Sequence, residues 1–388
     1  MTQSIVSREA RIRRALEHLR GQTTDEYDEV TPFGPAEFTD PAVAARERDR
    51  VFGRVPSIVA HGSELPRAGD FVTLQLPRNR VIVARQRDGG VKAFVNLCRH
   101  RGALLEDQEK GRCRLFSCQY HRWSYDLDGS LRTITLDSTF GEVDRSGLGL
   151  VELPCEERHG FVWVIDNAEA TDIDVAAWLG PEMDGILGEY DLGGHLCFQA
   201  EGFDEPVNWK IMQDAFLDGY HVQYAHPNTA GLHIHTNVMA FEDFGRHCRF
   251  VVPRKSIDRW LDEDPGDTPL GRYVTETHFL LPNSTLLRQP DHFELLTFRP
   301  HPTDPDRSRM EMRLIVRDVA ESGLDEQKWR SRWEKNWKIL LAVLHAEDFP
   351  LLRASQAGLA SADAGGMVLG RNEVANQVFH REIGRLLS

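Results

Sequence analysis

Two short segments constrain this chain more than any other feature: Cys98-Arg99-His100 and, seventeen residues further on, Cys118-Gln119-Tyr120-His121. A Cys/His pair on each of two loops is the donor set of a [2Fe–2S] cluster whose thiolates bind one iron and whose neutral imidazoles bind the other. Replacing charged thiolates by imidazoles raises the potential well above that of all-Cys plant-type ferredoxins. The alternative is a structural zinc site. Zinc fingers usually pair Cys with Cys and His with His, so the order Cys-x-His then Cys-x-x-His favours the cluster.

The sequence around these loops reads as strand. Residues 71–76, 81–85, 91–96 and 161–165 are β-rich, with Asp88-Gly89-Gly90 as one of the turns between them. Residues 50–166 are therefore expected to form a small all-β domain. Ahead of it, residues 7–20 read as a helix capped by Ser7, with Ile12, Ala15, Leu16 and Leu19 on one face. Residues 25–35 read as a polar linker or surface arm. Asp40-Pro41 starts a second helix running to about Phe52, and residues 1–49 are expected to pack on the C-terminal domain.

Residues 167–388 have a mixed texture. Residues 208–224 read as helix, and 249–253, 278–281, 294–299 and 310–316 as strands, the last two joined by a polar turn over 301–308. Residues 325–344 read as a long amphipathic helix whose Trp329, Trp333 and Trp337 pack into the core.

Net charge is −14, which argues against a nucleic-acid partner and an anionic membrane surface. Of six cysteines, two belong to the cluster pattern. Cys113, Cys155, Cys197 and Cys248 are too scattered for a disulfide framework and read as small buried hydrophobes. The start, Met1-Thr2-Gln3-Ser4, lacks an apolar signal segment, and no uncharged run reaches the ~18 residues of a spanning helix. A reduced, cytoplasmic location is expected.

A second metal site is suggested by His221 and His226. Five steps of ~100° set them ~140° apart on a regular helix, so they share one metal only if the helix ends or distorts between them. Pro227 disfavours helical geometry at His226. Two His and one carboxylate on one face of Fe(II), with open positions for O2, is the pattern of non-haem iron oxygenases. Glu347 and Asp348 both have the chemistry to complete it. His233 and His235 alternate as on a strand and are candidates to line a pocket, as are Phe216, Leu217, Phe241, Phe279, Leu281 and Leu296. His278, His292 and His345 read as packed or surface residues.

Cys98–Gly102, Cys118–Trp123 and the following Tyr125-Asp126-Leu127-Asp128-Gly129 resemble the Rieske loops of ring-hydroxylating oxygenase alpha subunits. Arg122 departs from the pattern, standing where Gly is common. Asn208-Trp209-Lys210 with Asp214, Asp218, Tyr220, His221 and His226 resembles that family's iron-site segment, Ala215 standing where Asn is frequent. The resemblance runs from the Pro41 helix to Phe379-His380-Arg381.

The resemblance implies an α+β chain: a Rieske-type all-β [2Fe–2S] domain, then a helix-grip (START-like) catalytic domain with a curved antiparallel sheet around a long C-terminal helix. It makes Cys98, His100, Cys118 and His121 the cluster ligands, and His221, His226 and Asp348 the ligands of a mononuclear Fe(II). It implies a terminal oxygenase that takes O2 and hydroxylates an aromatic substrate. Alternatives are monooxygenation, such as N- or O-demethylation, and an electron carrier without oxygenase chemistry. No dinucleotide fingerprint is evident, so electrons from NAD(P)H are expected through a separate reductase, with or without a ferredoxin. A ring of three alpha subunits is implied, as a homotrimer or with three beta subunits. Asp218 would bridge His221 to the cluster ligand His121 of the partner subunit; on a helix, residues three apart point the same way.

Overall fold

The computed structural model describes residues 7–388. Contacts divide them into two units. One comprises Arg48–Gly180 and Ile186–Leu196; the other comprises residues 7–47, Pro181–Gly185 and Cys197–Ser388. The division differs from a single cut after residue 166. It changes hands inside Val175–Glu189, where Gly180 (φ 73°) and Pro181 interrupt the helix.

The first unit is built from short antiparallel strands. Asp70–Gln75, Arg80–Arg85 and Val91–Val95 pair in sequence, flanked by Lys110–Arg112 and Glu152–Leu153, to give a five-stranded sheet. A three-stranded sheet joins Ser57–His61, Phe161–Val164 and Cys155–Arg158. Another joins Phe116–Ser117, Ser124–Tyr125 and Leu131–Thr133. Val81 and Val83 point to one face with Val59, Leu65 and Val162, while Ile82 and Ala84 join Phe94, Phe116 and Tyr125 on the other. That alternation buries both faces of the central strand. The second core also contains Cys98, Cys118 and Trp123, so the cluster loops grow directly out of packed side chains.

In the second unit, six antiparallel neighbours from Ala240–Asp243 to Ser308–Arg317 form a meander, and His195–Glu205 adds a seventh strand beside Ser308–Arg317. The helix Arg8–Gly21 begins at Ser7, whose Oγ accepts from Ala10 N at 3.2 Å. Its stripe Ile12, Ala15, Leu16 and Leu19 packs on Val238, Ala240, Val251 and Val274. Arg11 on the same face is buried, which is tolerable because Glu242 and Glu276 lie 2.9 and 3.1 Å from its guanidinium. Glu326–Val343 buries Trp329, Trp333 and Trp337 against Leu296, Met312 and Leu314 of the sheet, the packing expected for that stripe. Residues 25–35 are not wholly an arm: Thr31–Phe33 pairs with Met367–Leu369. Pairing there depends on a strand more than 330 residues away, which local sequence does not reveal. Among the described residues no helix is long and apolar enough to cross a membrane.

His292 gives this unit a measurable pH dependence. Its ring nitrogens bond to Asp291 Oδ1 at 2.7 Å and Glu294 Oε1 at 2.9 Å, beneath Trp333. Burial opposes the positive charge, but the two carboxylates outweigh it and raise the pKa from 6.5 to about 9. The folded state therefore holds the proton more tightly. The stabilisation is fully present below pH 6.5 and is lost as pH rises through 9. Thermal unfolding across this range should cost the wild-type chain on the order of 2–3 kcal/mol that His292→Gln does not lose. Parallel curves for the two chains would refute the assignment.

Candidate metal centres

The two cluster loops share one backbone device. Gly102 N donates to Cys98 O, and Arg122 N donates to Cys118 O, each at 2.9 Å. Each turn closes on a left-handed residue, Gly102 at φ 69° and Arg122 at φ 60°. Glycine suits that conformation and arginine pays for it, yet the turn is kept. The closed turns bring the His100 and His121 rings to 4.6 Å. Trp123 stacks on His100 at 4.8 Å and 6°.

Cys98 and Cys118 are both buried. Tyr125 Oη lies 3.3 Å from Cys98 Sγ and accepts from Arg99 N at 3.0 Å. Burial and the adjacent Cys118 thiol push the Cys98 pKa up, against the Tyr125 hydroxyl and the backbone at His100. Burial, His121 and the Arg101 charge lower that of His100. Iron ligation requires thiolates and neutral imidazoles, so the lowered pKa of His100 favours binding, whereas the Cys98 thiol must give up its proton to the metal. His121 Nδ1 is buried without a hydrogen-bond partner. An orphaned buried nitrogen on a ring beside His100, in loops that also bury Cys98 and Cys118, fits a metal cluster. Tyr125 was legible as part of the motif, but its contact with the sulfur was not.

The second centre stands on a broken helix rather than the continuous one expected over residues 208–224. Asn208 Oδ1 caps Trp209–Ala215 through Lys210 N at 2.9 Å. At its end the helix tightens, Phe216 N donating to Gln213 O and Leu217 N to Asp214 O, each at 3.1 Å, and Asn376 Nδ2 caps the same Asp214 carbonyl at 2.8 Å. His380 Nε2 holds the Asp214 carboxylate at 2.9 Å from the same C-terminal helix, Val374–Leu387. Helix resumes only as Val222–Ala225, with His221 at its start and His226 at its end. The break turns the two rings to 5.2 Å.

Asp348 lies on a π-helical turn, Leu344–Asp348, between Glu326–Val343 and Phe349–Leu359. Such turns recur at functional sites. Its Oδ1 is 3.2 Å from His226 Nε2. One donor atom from each of His221, His226 and Asp348 lies within 4.8 Å of the others. The other ring nitrogens are spoken for: His221 Nδ1 faces Asp218 Oδ2 at 3.2 Å, and His226 Nδ1 faces Glu347 Oε2 at 2.7 Å. Thr229 Oγ1 also donates to that Glu347 oxygen at 2.6 Å. Carboxylates behind both imidazoles leave each Nε2 directed at a metal, the usual outer support of such sites. Burial opposes charge on His226, but Asp348 and Glu347 still raise its pKa. That excess negative field suits a cation between the three donors.

The structure thus brings His221, His226 and Asp348 together and sets Glu347 behind His226. Asp218 meets His221 through a turn in which its Oδ1 also takes Tyr220 N, not through helical spacing. His233 and His235 lie outside the triad and flank Ile234, which forms a single antiparallel bridge with Arg254: His235 N donates to Pro253 O at 2.9 Å and Lys255 N to His233 O at 2.8 Å, and His235 Nε2 bonds Asp258 at 2.7 Å. Leu217, Phe279, Leu281 and Leu296 are buried, Phe216 packs on Phe298, and Phe241 lies against Tyr27.

A cluster-type unit followed by an antiparallel sheet with a His/His/Asp triad defines the class of Rieske non-haem iron oxygenases. The Rieske [2Fe-2S] domain model matches residues 56–143, and that of the ring hydroxylating alpha subunit (catalytic domain) matches residues 194–388. The chain belongs to the ring-hydroxylating alpha subunit family. It is 31% identical over 192 residues to the biphenyl 2,3-dioxygenase subunit alpha of Rhodococcus jostii (strain RHA1), covering 48% of this chain and 41% of that one. It is 31% identical over 209 residues to the carnitine monooxygenase oxygenase subunit of Acinetobacter pittii (strain PHEA-2), covering 52% and 54%. The matched stretch thus spans about half the length of these curated relatives. The fold matches that of the quaternary ammonium Rieske monooxygenase CntA in complex with L-carnitine, with a TM-score of 0.75 and 22% identity, over 92% of this chain and 96% of that one.

Proposed function

We propose that this chain is the terminal oxygenase component of a multicomponent system, hydroxylating an aromatic substrate with O2 and electrons from a separate NAD(P)H-dependent reductase. The observation that carries it is the convergence of His221, His226 and Asp348 within 4.8 Å in a chain that also closes two Cys/His loops. Cys98, Cys118, His100 and His121 would hold the [2Fe–2S] cluster, and His221, His226 and Asp348 the mononuclear iron. When bound, the two groups supply electron storage and O2 activation, chemistry that amino-acid side chains lack.

The chain's own residues do the positioning. Glu347 and Asp218 fix the two imidazoles by their Nδ1 atoms, so that both Nε2 atoms point inward. Asp214, held by Asn376 and His380, ends the helix where His221 must turn away from it. A trimeric ring, with or without beta subunits, and a cytoplasmic location complete this reading.

Monooxygenation, including oxidative demethylation, is the second reading. It is favoured by the carnitine monooxygenase subunit among the relatives and by the fold match to CntA over nearly all of both chains. Two measurements decide. Three irons per chain are expected for an oxygenase, against two for an electron carrier. With labelled O2 and a surrogate reductase, two labelled oxygens in an aromatic product mark dioxygenation. One labelled oxygen, or release of an aldehyde, marks the second reading. Two irons and no labelled product would refute both.

A further inference from the structure

The seven-stranded sheet is covered unevenly on the face opposite the helix Arg8–Gly21. Ser284–Arg288 is the central strand of the seven. On that face its Leu287 is only part-buried, whereas Leu286, on the other face, is fully buried. A mid-sheet leucine left part-open marks a recess among the covering helices. Val252 shares the face, because its neighbour Val251 packs on the other side against Arg8–Gly21. A methyl group on Gly219 would stand 3.8 Å from Val252 Cγ2. The segment that leads to His221 therefore passes directly over this strand.

Arg254 follows Val252 by two residues, so strand alternation gives it the same face. Its Nη1 donates to Gln289 Oε1 at 3.1 Å and lies 3.5 Å from Thr275 Oγ1. Thr275 pairs with Val252 on the adjacent strand, and Gln289 directly follows the central one. The guanidinium is thus drawn inward across the sheet toward Leu287. Both partners are neutral. Among the described residues no carboxylate pairs with Arg254, and its Nε–Nη2 edge takes no hydrogen bond. Gln289 stands between Arg254 and Glu294: its Nε2 meets Glu294 Oε1 at 3.4 Å, and that carboxylate is already held by His292 Nε2 at 2.9 Å. A guanidinium anchored by one nitrogen, with its two-pronged edge open beside an apolar wall, has the geometry that grips a carboxylate.

We propose that Arg254, held in place by Thr275 and Gln289, binds the carboxylate of the substrate, whose apolar body lies along Val252 and Leu287 toward His221. This rests on the oxygenase reading above and narrows its substrate to small carboxylic acids. Val252 and Arg254 are ~7 Å apart along one strand face, a span that a benzoate-sized acid fills. The arginine sets which molecule enters and which end points away from the His/His/Asp triad.

The test uses the full chain loaded with cluster and iron, and matched acid/amide pairs: benzoate and benzamide, phenylacetate and phenylacetamide, cinnamate and cinnamamide. Binding is measured by calorimetry near neutral pH. We expect at least one acid to bind about 10-fold or more tightly than its amide. In Arg254→Gln that preference should vanish, the acid falling to the amide's affinity, with iron content and melting temperature unchanged. Arg254→Lys keeps the charge but loses the fork, and should retain part of the preference. Should Arg254→Gln not fold, the wild-type preference and Arg254→Lys decide. A wild-type chain that binds no acid better than its amide overturns the proposal. So does a loss in Arg254→Gln shared equally by acid and amide, which marks Arg254 as a tie between strands. A variant of altered mass by light scattering overturns it in favour of contact between copies of this chain. A chain with only two irons sinks the oxygenase reading beneath it, an outcome distinct from a three-iron chain indifferent to the carboxylate.

Discussion

Asp348→Ala should abolish turnover, by at least about 10³-fold, while leaving the cluster spectrum intact; removal of a metal ligand acts on the metal and not on the separate turns at Cys98 and Cys118. Iron should fall from three per chain to two. The reasoning is local. Asp348 supplies the anionic donor of the triad, and its Oδ1 stands 3.2 Å from His226 Nε2. Glu347 is the control, since its Oε2 is engaged by His226 Nδ1 and Thr229 Oγ1 on the far side of the ring. Glu347→Gln keeps a hydrogen-bonding group there and should weaken iron binding by about 10- to 100-fold, as loss of such outer support usually does. If Glu347→Gln empties the site and Asp348→Ala does not, the two carboxylates have been assigned in the wrong order.

Asp218→Asn should fill both metal sites and let the cluster reduce at its normal rate, yet lower turnover by at least about 10²-fold. Asn is isosteric, so the turn at Tyr220 N survives, but the carboxylate charge behind His221 is gone. We infer that one oxygen orients His221 and that the carboxylate also accepts from His121 of the partner subunit. Each carboxylate oxygen has two acceptor sites, so the bond from Tyr220 leaves room for it. Single-turnover experiments with a pre-reduced cluster separate electron delivery from chemistry. Near-normal turnover would refute the bridge, and full activity in a monomer would refute the route between subunits.

The cluster loops were legible because their information is local: ligand type, ligand order and a short turn after each Cys. The His221/His226 pair was legible as a pair but not as a geometry. Five-residue spacing demands a break, and one group that caps the helix end there is Asn376, more than 150 residues downstream. The choice between Glu347 and Asp348 rested on resemblance. Nothing in the local sequence says which of two adjacent carboxylates meets which side of an imidazole. The pairing of Thr31–Phe33 and the strand His195–Glu205 were missed for the same reason, since their partners are remote. The Trp stripe, a regular pattern within one helix, was read directly.

The π turn at Leu344–Asp348 also acts as a phase shifter. Counting forward from Trp337 at ~100° per residue, an unbroken helix would carry Leu344, Asp348, Leu351 and Ser355 inward. Leu344 and Asp348 are indeed buried, but Leu351 is 52% exposed and Leu352 and Gln356 are buried instead. The frame has slipped by one residue. The slip brings Gln356 inward, where its Oε1 accepts from Asn208 N at 2.8 Å and its Nε2 donates to Asp306 at 2.7 Å. Asn208 starts the helix that leads to His221. One surplus residue therefore keys both ligand-bearing segments to each other, so that a change in the length of this stretch would turn Gln356 away from Asn208.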